Sequence, residues 1–125
     1  MERVAETAGT EPGQPVEIVN KVWGWEEIIC NNERYCLKKL ILLPGFQCSL
    51  HRHIQKDETF YVMKGECALE IGGAVRYLCS GESQRILPGT WHRFTNENNV
   101  PCVIMEASTH HEESDVERKE PSRKL

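Results

Sequence analysis

No apolar run in this 125-residue chain approaches the roughly 20 residues that a membrane-crossing helix needs. The start, Met1-Glu2-Arg3-Val4-Ala5-Glu6, also lacks a signal-peptide core, so a cytoplasmic protein is the expectation. Positive charge is in short supply: 15 Lys and Arg stand against 19 Asp and Glu, for a net charge of -4. Such a surface gives no reason to expect nucleic acid or an anionic membrane as partner. None of the six cysteines forms a Cys-x-x-Cys pair, which removes the usual zinc-ribbon and thiol-redox spacings. Cys30, Cys36, Cys48, Cys67, Cys79 and Cys102 are scattered, several within apolar runs, and read as reduced, buried thiols. No segment keeps a helical period, and there is no internal repeat, phosphate-cradling glycine loop or helix-turn-helix.

What the chain does have is turns. Nine glycines and six prolines punctuate it, and Asn31-Asn32, Pro44-Gly45, Lys64-Gly65, Gly72-Gly73, Ser80-Gly81 and Asn98-Asn99 separate short runs of strand character. Those runs are 26–30, 35–43, 47–52, 58–63, 66–71, 74–78, 83–87, 92–95 and 100–107, preceded by an extended segment from about Val16. Their spacing predicts one all-β domain, a sandwich or barrel over 16–109. Residues 1–15, with Gly9, Pro12, Gly13 and Pro15 among polar residues, read as a disordered leader. Residues 110–125 read as a charged C-terminal tail, a short helix or extended arm that frays. Trp23 and Trp25 flank Gly24 and would share one side of an extended segment, as core or as a dimer contact.

Four residues carry the chemistry. His51 and His53 share one face of a strand, because successive side chains alternate. The polar stretch Ile54-Gln55-Lys56-Asp57 is short enough to turn the chain and return Glu58 to that face. A Pro88-Gly89 turn then delivers His92 onto a further strand. Three imidazoles and a carboxylate converging inside a small barrel suit one divalent metal ion (Zn, Mn, Fe, Co or Ni), with coordination positions left for substrate oxygen or water. Phe60 and Val62 share Glu58's face and would form an apolar wall beside it. Counting back from Leu40 and Leu42 as core places Lys38 inside and Lys39 outside. Glu106, at the end of a Val-Ile-Met run, is a carboxylate in an apolar strand: a general base, or the partner of a neighbouring cation. Arg93 points away from His92 and suits a structural ion pair, while His110 and His111 fall in a polar stretch and read as solvated surface.

Gly45-x5-His51-x-His53-x4-Glu58-x6-Gly65, followed by Gly81 to Asn96, resembles the two motifs of the cupin superfamily. The second departs in one respect, since three residues rather than the usual four separate Pro88 from His92. Val22-Trp23-Gly24-Trp25-Glu26, Lys38-Lys39-Leu40, Ser49-Leu50 and Asp115-Val116-Glu117-Arg118 are similar to the cupin domain of type II phosphomannose isomerases and of small stand-alone sugar isomerases. Val22 stands where the larger family usually has proline.

The resemblance implies a jelly-roll barrel, a homodimer paired through N-terminal strands, and a small-molecule carbohydrate substrate. It also implies metal-dependent aldose–ketose isomerisation of a sugar or sugar phosphate of mannose or lyxose type, with Lys38 at the family's lysine position. Proton transfer would fall to a carboxylate such as Glu106, to Lys38 or to water. An Fe(II)-dependent dioxygenase and a non-catalytic sugar-binding module are the alternatives.

Overall fold

The structure is a computed structural model and describes residues 15–125. The leader expected over 1–15 therefore lies, but for Pro15, outside the described residues. The described residues hold thirteen strands and one 3-10 turn, joined by short loops. β1 (Glu17–Lys21), β2 (Gly24–Asn31), β3 (Tyr35–Leu42), β11 (Cys102–Thr109), β6 (Glu58–Lys64) and β9 (Ser83–Ile86) form one sheet, in that order. β12 (Val116–Glu120), β5 (Leu50–His53), β10 (His92–Thr95), β4 (Phe46–Gln47) and β13 (Arg123–Lys124) form the other, with β7 (Glu66–Ile71) beside β10 and β8 (Ala74–Cys79) beyond it. Every pairing is antiparallel. No helix among the described residues is long and apolar enough to cross a membrane.

The inward residues of the two sheets meet in one core. Leu40, Leu42, Phe60, Val62 and Ile104 come from the first sheet, and Leu69, Leu78 and Phe94 from the second. The alternation of β3 is visible in its burial, with Cys36, Lys38, Leu40 and Leu42 all inside. Cys36, Cys48, Cys67 and Cys102 are buried thiols, Cys30 is half-buried and Cys79 exposed, and all six are free.

Three sequence expectations change. The run 47–52 divides into β4 and β5, because Cys48 N donates to Phe94 O outside the regular ladder. Trp23 and Trp25 do not share a side, since Val22-Trp23 is the turn of the β1–β2 hairpin. Trp23 drops into the core, edge-on to Phe94 at 5.5 Å, while Trp25 lies beside Ile41 on the outer face. Gly24 permits this, as its φ is +145° and a Cβ there would stand 1.9 Å from Ile41 O. The stretch 110–125 is no frayed arm either: after the 3-10 turn Glu113–Asp115, β12 pairs with β5 and β13 with β4.

Candidate metal centre

The backbone brings the three histidines together. His92 on β10 is the direct cross-strand partner of His51 on β5, and His53 follows two residues along the same face. Leu87-Pro88-Gly89-Thr90 is a tight turn, with Gly89 at φ +81° and Thr90 N donating to Leu87 O. Gly89 N donates to His53 O at 2.7 Å, so this turn is docked on the strand that carries the other two histidines. Ring centroids lie 4.4 Å apart for His51 and His92, 5.2 Å for His51 and His53, and 5.9 Å for His53 and His92. One nitrogen from each ring falls within 4.8 Å of the other two.

Glu58 reaches the same centre from β6, in the opposite sheet. Its Oε2 is 3.1 Å from His53 Nε2 and its Oε1 is 3.7 Å from His92 Nε2. Donors bound to a common ion at about 2.1 Å stand roughly 3.0–3.4 Å from each other; the His53 separation falls in that range and the His92 separation lies just beyond it.

Hydrogen bonding supports a shared cation. His51 Nδ1 donates to Ser49 O at 2.7 Å and His92 Nδ1 donates to Thr90 O at 2.8 Å, which leaves each Nε2 as a lone pair. His92 Nε2 and Glu58 Oε2 are buried and have no partner, the state that a coordinated cation would relieve. His53 Nδ1 is also without a partner, and nothing in the structure accounts for it. Burial and the neighbouring His92 push His51 down to about 4, and burial with Lys56 takes His53 to about 2. Both rings are therefore neutral and available as ligands at neutral pH.

Above this cluster lies a cavity of about 330 Å³. Trp23, Phe60 and Phe94 line one part of it, and Lys38, Lys56, Glu106 and His111 another. Lys38 and Glu106 are cross-strand neighbours and both buried. Glu106 is ion-paired, with Lys56 Nζ donating to its Oε2 at 2.9 Å. Burial alone would raise the Glu106 carboxyl, but Lys56 and Lys38 outweigh it and hold the group low. Burial likewise opposes the charge on Lys56, yet Glu106 and Glu58 raise it. The pair is thus ionised inside the protein. Lys38 is less engaged, its Nζ 3.6 Å from Glu26 and beyond hydrogen-bond range. Arg93 faces away and pairs with Glu70 and Glu120.

Two of these residues were not legible as site residues. Lys56 reads as part of a solvated turn, but it is 3% exposed and its ammonium is inside. The missed signal is parity: Lys56 and Glu58 are two apart, so a strand geometry begun at Lys56 puts both on one face. His111 reads as surface, but the backbone after β11 turns back over the cavity. Its backbone N donates to Asn31 Oδ1 at 3.0 Å and its O accepts from Asn31 Nδ2 at 3.1 Å. A polar sequence gives no sign of that clamp.

Residues 39–108, more than half of the chain, match the cupin domain family. The chain is a cupin. Among curated proteins it is similar to mannose-1-phosphate guanylyltransferase ManC of Salmonella typhimurium, 32% identical over 104 residues, which are 82% of this chain and 22% of that protein. It is also similar to the xanthan biosynthesis protein XanB of Xanthomonas campestris pv. campestris, 28% identical over 91 residues, 73% of this chain and 20% of that one. The cupin thus spans about a fifth of the length of the curated relatives it matches. Among solved structures, the capsular polysaccharide assembling protein CapF of Staphylococcus aureus superposes with a TM-score of 0.76 at 19% identity, over 85% of this chain and 34% of that one. An RmlC-like cupin from Shewanella frigidimarina gives 0.71 at 17% identity, over 86% of this chain and 96% of that one. At those identities the likeness is one of fold.

Proposed function

We propose that this cupin holds one divalent ion through His51, His53, Glu58 and His92 and interconverts an aldose and a ketose, free or phosphorylated. The observation that carries the reading is one cavity lined both by His51 and His53 of the donor cluster and by the ionised Lys56–Glu106 pair. The names of the guanylyltransferase relatives, which contain mannose 1-phosphate, support a sugar or sugar phosphate as ligand. A cavity near 330 Å³ suits a ligand of monosaccharide size.

A divalent metal, when bound, supplies Lewis acidity to an adjacent hydroxy-carbonyl. The remaining work falls to side chains. Isomerisation needs a proton removed from one carbon and returned to its neighbour, and Glu106 is the buried carboxylate that lines the cavity. Lys56 keeps it ionised and ready to accept that proton. Lys38 directs an ammonium into the same cavity, where it can donate to a substrate oxygen. Trp23, Phe60 and Phe94 exclude water and offer an apolar surface to the C–H face of a sugar. Such a concentration of proton-transfer groups favours isomerisation over oxygen insertion or passive binding.

Metal analysis of protein purified without added metal, followed by an anaerobic screen of aldoses, ketoses and their phosphates, tests the reading. Turnover without oxygen is expected. Fe(II) dependence with oxygen uptake would replace it by the dioxygenase, and saturable sugar binding with no turnover by the binding module. Glu58→Ala and His92→Ala should each abolish metal retention, and full occupancy in both would refute the ligand set.

A further inference from the structure

Lys56 stands between two carboxylates with different surroundings. Its Nζ donates to Glu106 Oε2 at 2.9 Å and to His111 Nδ1 at 3.0 Å, while Glu58 Oε2 lies 3.6 Å away. That Glu58 oxygen is buried and unpartnered. An ammonium carries three hydrogens, so one remains for such an oxygen unless Nζ itself is held out of range. Two anchors hold it 3.6 Å away, the carboxylate of Glu106 and the imidazole of His111. The orientation of its ring is fixed from the far side, where Nε2–H donates to Glu113 Oε1 at 2.9 Å and leaves Nδ1 as the acceptor. Its backbone is fixed by Asn31, which bonds both its N–H and its carbonyl. The ring is therefore built into place rather than resting against the lysine by chance.

Resting on the metal-centre reading above, we propose that His111 is a positioning residue that keeps Lys56 turned toward Glu106 and off Glu58, so that Glu58 stays free to bind a divalent metal. Without an acceptor at position 111, the Lys56 ammonium moves onto Glu58 Oε2 and competes with the ion for it. The effect of His111 on the metal thus passes wholly through Lys56.

The test is metal affinity rather than turnover. Co(II) binding to the full chain is followed by its visible absorption, and Zn(II) binding by competition with a chromophoric chelator. His111→Ala should weaken both by about tenfold or more, the scale at which residues that orient ligands act. His111→Asn, whose Oδ1 can stand where Nδ1 stood, should remain within about threefold of the native chain, and in a Lys56→Met background His111→Ala should have no further effect. Should His111→Ala not fold, His111→Leu keeps the volume and removes the acceptor. Should Lys56→Met not fold, the comparison of the acceptor-free and Asn variants decides alone. Native affinity in the acceptor-free variant overturns the proposal, and so does an Asn variant as weak as it, which would mean packing only. A native chain that binds neither ion overturns the metal centre itself, and this proposal with it.

Discussion

Asp57 lies between two inward-facing residues, and its outward direction fixes theirs. Arg85 holds its carboxylate from β9 through Nε at 3.1 Å and Nη2 at 2.6 Å, on the outside of the sheet. Alternation then turns Lys56 and Glu58 to the inside. The hydrogen bond from Arg85 lowers the Asp57 carboxyl below its ordinary value. A carboxylate with a depressed folded-state pKa stabilises the protein above the ordinary aspartate value, and the contribution fades as pH falls through the folded value. An NMR titration should therefore find Asp57 titrating at lower pH than a free aspartate, and Arg85→Gln should return it to the usual range. An unchanged Asp57 in that variant would show that the pair does not form in solution.

At the scale of elements, the segment after β11 is what the sequence conceals. Asp115 Oδ1 and Oδ2 accept from the backbone N–H groups of Gln55 and Lys56 at 2.9 and 3.0 Å, and Asp115 O accepts from Ile54 N at 3.1 Å. One residue from the expected tail thus shapes the turn that delivers Lys56 and Glu58. Asp115→Ala should cost about 1–3 kcal/mol in urea unfolding, the scale of lost hydrogen bonds to a charged group. A midpoint unchanged from the native chain would show the contact to be incidental. The strands themselves were legible, because turn residues mark the hairpins and alternation marks the faces of β3, β6 and β10. The inward placing of Lys38 from Leu40 and Leu42, and the meeting of His51, His53 and His92, followed from that alternation together with the Pro88-Gly89 turn. Lys56, His111 and Asp115 were not legible, because their places depend on contacts 50 to 80 positions apart in the chain. No local pattern encodes such contacts.

For the molecule as a whole, the outer face of the six-stranded sheet carries an apolar stripe beside the charged Glu27 and Lys39. Trp25 neighbours Ile41, Ile41 neighbours Val103, and Met105 neighbours Tyr61 across β2, β3, β11 and β6. Ile41 is only 7% exposed although it points away from the core. A surface of this kind suits a second copy of the chain, in keeping with the homodimer expected from the resemblance, with Trp25 rather than Trp23 available to it. Light scattering at micromolar concentration should give twice the monomer mass, and Met105→Glu should halve it. A native chain of monomer mass would remove the dimer.

Three of the proposed donors ride on strands of one layer and the fourth on the other, yet no ladder of backbone bonds joins β6 to β5 or β10. An ion seated among them would act as a rivet through the thickness of the sandwich, adding to packing and to side-chain ties such as the one from Asn96 Nδ2 to Leu42 O. Deuterium uptake at β6 amides should then slow in step with that at β5 and β10 when metal is added, and slowing confined to one layer would mean that the rivet is not there.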